Sequence, residues 1–205
     1  MKSEQPSLTP VAAVIALAAG LWFVTFHLQW WTFWFKIAIS AGLLAGFALW
    51  QRRELRRGLV PDARAVALGL TSAVVLYLIF CLGKLVSTAI LPFAGEQIGA
   101  IYGKGEGTSM WVIVPLLLFV TGPCEEVFWR GYLQDTLGRR FGGWQGWVLA
   151  TAVYAGVHIW SFNFMLIGAA AVAGAFWGLI YWRLHDLRPV IVSHAVWSTV
   201  VFAVL

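Results

Sequence analysis

The sequence predicts an all-α fold, a polytopic transmembrane helix bundle of about seven spans. Three observations carry that expectation. Apolar residues make up 60% of the 205 positions, and the mean hydropathy is +0.80. Only 11% of the residues are charged, against about 25% in a soluble domain. The apolar residues also fall in runs of about 20, the length that crosses a hydrocarbon core, with short polar stretches between them.

The elements follow in order. The first run covers 10–28 and the second 31–50. The start, "MKSEQPSLTP", lacks the basic n-region and small-residue cleavage site of a removable signal, so the first run reads as a retained helix. The third begins near 65 and reaches at least Gly83; the stretch 85–93 either extends it or lies at the interface. "AGEQIGAIYGKGEGTS" (94–109) is glycine-rich and reads as a flexible external loop. Its "GKGEGTS" lacks the spacing of a phosphate-binding loop. Runs at 110–136, 144–162, 164–182 and 188–205 complete the set. The joints at 28/31 and 162/164 imply tight hairpins. The small residues of "GAAAVAGAFWG" allow close helix packing. One integral membrane domain, 1–205, is expected, with N-terminal helices at 10–93 and the chemistry-bearing helices at 110–205. Of thirteen tryptophans, Trp30, Trp31, Trp34, Trp50, Trp144, Trp147 and Trp182 lie near helix ends, where indoles meet the membrane–water interface.

The net charge of +5 is distributed as a topology signal rather than as a nucleic-acid surface. Arg52, Arg53, Arg56, Arg57 and Arg64 crowd one loop, Arg139 and Arg140 a second, Arg183 and Arg188 a third. With seven spans all three share one side, which the positive-inside rule makes cytoplasmic. The N-terminus is then inside, in a cell membrane of bacterial type. Cys81 and Cys124 lie within apolar runs and offer neither a disulfide framework nor zinc spacing.

An ionisable group inside a span costs about 2.5–3.5 kcal/mol on insertion scales, so each needs a reason. Lys36 and Lys84 fall near the outer interface and are expected to snorkel; His27 and His185 read as solvated. That leaves Glu125, Glu126 and Arg130 in the fourth run, His158 in the fifth, and His194 with Ser193 and Ser198 in the seventh. Glu126 and Arg130 are four apart and share a helix face, so they are expected to pair; Gln134 continues that face. Glu125 points about 100° away and has no partner in its own helix, so His158 and His194 are its expected company. Pro115 and Pro123 loosen the helix ahead of the pair. A glutamate and histidines from three helices can activate water, while His194 and Ser198 can donate to a developing oxyanion. A serine nucleophile finds no GxSxG. Two histidines and a glutamate could ligate zinc, but HExxH is absent. A proton or ion relay would use the same groups.

Glu125-Glu126-Val-Phe-Trp-Arg130 reads as an EExxxR motif, followed by Tyr154-x-x-x-His158 and His194-x-x-x-Ser198. These resemble the three motifs of the CPBP family of intramembrane proteases (CAAX protease and bacteriocin-processing, or Abi, family). The resemblance covers roughly 110–205. It implies an intramembrane endopeptidase of glutamic type, with metal use argued both ways in the family and no cofactor expected here. Glu125 with His158 would activate water, His194 and residue 198 would hold the oxyanion, and Glu126 and Arg130 would support. Tyr154 replaces the usual Phe. Ser198 stands where Asn or Asp is usual, offering one donor where an amide offers two, which raises the alternative of a weak or silent relative acting as an immunity or scaffold protein. The expected partner is a peptide with a membrane-embedded or membrane-adjacent segment, a C-terminal tail or a leader, together with the lipid bilayer and no nucleic acid.

Overall fold

A computed structural model describes residues 8–204. The readings made on residues 1–7, the absent cleavable signal and the cytoplasmic N-terminus, lie outside the described residues, as does Leu205. Every regular element among the described residues is helical. In order these are α1 (Leu8–Phe26), α2 (Phe33–Gln51), α3 (Ala63–Ile90), α4 (Ala94–Tyr102), α5 (Met110–Phe141), α6 (Gly143–Val157), α7 (Phe164–Leu184) and α8 (Arg188–Val204). Short 3₁₀ turns stand at Arg53–Arg56, Gly103–Gly105 and His158–Ser161.

Five helices, α1, α2, α3, α5 and α7, are long and apolar enough to cross a membrane. The expected fifth and seventh spans correspond to α6 and α8, of 15 and 17 residues. The stretch 85–93 extends α3 as far as Ile90 rather than lying apart from it. Asp62 caps that helix, its Oδ1 accepting from the Ala65 amide at 2.8 Å, which satisfies one of the free N–H groups of the first turn.

The segment 94–109 departs from the expected flexible loop. Its first part is α4, and a 3₁₀ turn follows. Tertiary bonds outweigh its glycine content. The Gln97 carbonyl accepts from Asn163 Nδ2 at 2.7 Å, and Gln97 Oε1 accepts from the Met165 amide at 3.0 Å. Asn163 in turn caps α7 through the Leu166 amide. The glycine-rich stretch is thus pinned across the start of α7.

Two interface assignments also change. Trp30, Trp31, Trp50 and Trp144 are exposed as expected, but Trp34 is buried and its Nε1–H donates to the Lys104 carbonyl at 2.9 Å. Lys36 does not snorkel: it is 6% exposed, and its ammonium donates to the Leu28 carbonyl.

The arginine-rich loops meet at one end of the bundle. Arg52 binds Asp135 and Thr136, Arg139 binds Asp135 at 2.7 Å, and Arg188 bridges Asp186 and Asp62. Between α5 and α6 the chain reverses at Gly142, whose φ of 107° is strained for any residue with a Cβ. The main core packs Trp22 of α1 and Leu44 of α2 against Phe128, Trp129 and Leu133 of α5 and Tyr154 of α6. α8 lies along α3 and crosses the middle of α5.

Candidate active site

α5 is not a uniform helix. Two stretches, Leu117–Thr121 and Val127–Gln134, are wound as π-helix, and Glu125 and Glu126 sit on the α-helical turn between them. Pro115 and Pro123 explain part of this, since proline supplies no N–H for the ladder and crowds the preceding turn. Each π turn spreads the side chains and redirects them, a device common at functional sites. All of Val127–Gln134 is buried, so this helix segment is enclosed on every side.

Glu126 is fully buried at 0% exposure. Its Oε1 accepts from Arg130 Nη1 at 2.8 Å and bonds His194 Nδ1 at 2.6 Å. The expected Glu126–Arg130 pair is therefore present, and it extends to a second helix. Arg130 Nη2 donates to the Gly174 carbonyl on α7 at 3.1 Å, and Gln134 Nε2 donates to the Gly178 carbonyl at 2.8 Å. The Arg130 guanidinium also lies over the rings of Tyr154 and Trp177, at 4.8 and 5.6 Å. The bond to Gly174 and the two aromatic faces offset part of the cost of burying such a pair.

Glu125 stands apart from that pair, as its position on the helix predicts. Its direct partner is Tyr154, whose hydroxyl donates to Oε2 at 3.0 Å. Tyr154 also receives His158: the imidazole Nδ1 lies 2.7 Å from the Tyr154 carbonyl. A carbonyl only accepts, so Nδ1 carries the proton and Nε2 is the basic nitrogen. Nε2 accepts from Trp22 Nε1–H at 3.4 Å. Glu125 and His158 are thus linked through one tyrosine.

His194 differs from expectation. Its Nδ1 goes to Glu126, not to Glu125, and its ring stacks on Trp177 at 3.9 Å between centroids. The reason lies in register: Ala195 of α8 rests against Gly122 of α5, where an added Cβ would come within 2.9 Å of the Ala195 Cα. That close approach sets His194 beside Glu126. Ser198 is buried one turn further on, and its hydroxyl has no hydrogen-bond partner among the described residues. Glu125, Glu126, Arg130, His158 and His194 are therefore gathered into two linked bonding groups, with Ser198 next to them on α8.

Three neighbours of these groups were not candidates from sequence. Tyr154 was visible only as a motif position, not as a carboxylate partner. Trp177 and Trp22 carry no local signal, since one indole in an apolar helix looks like any other. No three His, Cys, Asp or Glu side chains converge as a metal-ligand set among the described residues.

Residues 107–200 match the family model described as type II CAAX prenyl endopeptidase Rce1-like. The matched segment, just under half of the chain, is similar to that family. It runs from the turn before α5 to the last turns of α8, and so takes in all the EExxxR, Tyr154–His158 and His194–Ser198 positions. No curated protein and no solved structure matches the chain. The chain thus combines a segment similar to CAAX prenyl endopeptidases with five helices long and apolar enough to cross a membrane.

Proposed function

We propose that the chain is an intramembrane endopeptidase that hydrolyses a peptide bond of a membrane-associated substrate, a C-terminal tail or a leader, with water activated by Glu125 and His158. The observation that carries this reading is the Glu125–Tyr154–His158 chain. Tyr154 occupies one carboxylate oxygen and leaves Glu125 Oε1 without a partner among the described residues, free to accept a proton from water. His158 offers Nε2, whose present donor is the Trp22 N–H, as a second acceptor for that water. Attack on the carbonyl carbon produces a tetrahedral oxyanion. His194 in its doubly protonated form donates Nδ1–H to the Glu126 carboxylate and Nε2–H to that oxyanion, and the Ser198 hydroxyl adds a second donor. Glu125 then passes its proton to the departing amine as the C–N bond breaks. Arg130 and Glu126 act by fixing His194 rather than by touching substrate. No step runs through a metal.

In this reading α6, extended by its 3₁₀ turn, and α8 also cross the bilayer, giving seven spans as one domain, with the arginine-bearing end in the cytoplasm. The histidine end of the site then opens away from the cytoplasm. The test is reconstitution with co-expressed membrane peptides beside Glu125→Ala and His158→Ala. Cleavage that survives both changes would sink the mechanism. A silent scaffold role is favoured only by the unpartnered Ser198. Replacing it with Asn, which offers two donors, is expected to give equal or higher activity; a dead Asn variant would instead show that the hydroxyl is specifically required.

A further inference from the structure

Two lysines outside the matched segment have no counter-ion among the described residues. Lys36, at the start of α2, is nearly buried, and its ammonium spends one donor on the Leu28 carbonyl. Lys104, in the 3₁₀ turn after α4, rests over the rings of Phe26 and Phe33 at 5.8 and 5.1 Å. Neither forms an ion pair among the described residues, whereas Arg52, Arg130, Arg139 and Arg188 all do. Phe33 and Lys36 stand three apart on α2 and share a face, and the Lys104 ammonium lies over Phe33, so the two cations share one corner. Each ammonium has three N–H donors, and among the described residues the Leu28 carbonyl is the one hydrogen-bond acceptor that engages them. Two like charges in a partly desolvated corner repel each other, and cation–π contacts offset this only in part.

The corner is also fixed in place. Trp34 ties the Lys104 carbonyl to α2, and Phe26 packs on the His158 ring at 5.5 Å. One phenyl ring therefore separates the Lys104 ammonium from the imidazole assigned to water activation.

We infer that Lys36 and Lys104 form an oxyanion-binding subsite that receives a carboxylate of the peptide lying in the adjoining site. The assignment to substrate rests on the protease reading; the anion site itself does not. Burial holds the Lys104 ammonium below the usual lysine range, and a bound carboxylate would reverse that.

The chain has four lysines, so ¹⁵N-lysine NMR of the full-length protein in detergent gives at most four side-chain signals, assignable with Lys→Arg variants. Titration with acetate is expected to move the Lys36 and Lys104 signals saturably and to leave Lys84 in place. Acetate that moves neither signal overturns the site. Using the peptide cleaved in the reconstitution above, Lys104→Gln is expected to raise KM about tenfold at unchanged kcat. Lys104→Arg should restore binding, and blocking the peptide's carboxylates as amides should copy the Gln effect in the wild type. If cleavage proceeds but neither Lys104→Gln nor amidation changes KM, the substrate assignment falls while the protease reading stands. If acetate binds but no peptide is cleaved, the subsite stands and the protease reading falls. If phosphatidylglycerol vesicles saturate both lysine signals and acetate and peptide do not, the corner holds a lipid phosphate and the inference is overturned.

Discussion

Glu126 serves two partners with a single oxygen, and its other oxygen, Oε2, is buried without one. Removing its charge leaves Arg130 buried and unpaired, so Glu126→Gln should lower stability by about 3–5 kcal/mol, measurable as a lower midpoint of thermal unfolding in detergent. Tyr154→Phe is a milder probe. It keeps the ring that packs on Trp129 and removes only the hydroxyl that holds Glu125. A loss of about 10–100-fold in kcat with an unchanged unfolding midpoint is expected, since a misplaced base costs rate rather than fold. Residue spacing alone made the Glu126–Arg130 pair legible, because four residues on a helix face is a geometric certainty. The His194–Glu126 bond was not legible, because it depends on how α8 seats against Gly122, which no spacing within one helix encodes.

Helix seating is itself testable. A methyl group at Gly122 would press on the Ala195 backbone, with contacts of 2.9 and 3.0 Å to Cα and N. Backbone cannot rotate away, so Gly122→Ala should push α8 off α5, separate His194 from Glu126, and lower both unfolding midpoint and activity. Gly156, in α6, has nothing within 4 Å of its would-be Cβ; Gly156→Ala should be neutral or slightly stabilising. Equal effects at the two positions would refute the close-approach argument. Apolar runs announced α1, α2, α3, α5 and α7 because lipid-length helices are written in composition. The order in 94–102 escaped notice because Gln97 and Asn163, 66 residues apart, supply it.

At the scale of the whole molecule, the arginine-bearing end is held by Asp62, Asp186 and Arg188. The Ala65 amide, then Arg188, holds the Asp62 carboxyl below its usual range, and bonding to Arg188 does the same for Asp186. A lowered folded-state value means stability present above the ordinary carboxylate range of about 4 and lost as pH falls through the lowered value. Unfolding midpoints should therefore fall below pH 4, and Arg188→Gln should flatten part of that dependence. The seven-span reading is checked by reporter fusions: one in the 51–64 loop should report cytoplasm, and one near 100 the opposite side.

Arg130 and Gln134 reach across to the carbonyls of Gly174 and Gly178, four residues apart on each helix. These two struts act as teeth in a rack. If α5 slid one turn along α7, only one of the two donors would still face one of these glycine carbonyls. When the bilayer thins or thickens, the pair can tilt only as a unit. Under the function proposed above, the depth at which Glu125 would meet a substrate follows the angle of that unit, a mechanical linkage between lipid thickness and catalysis.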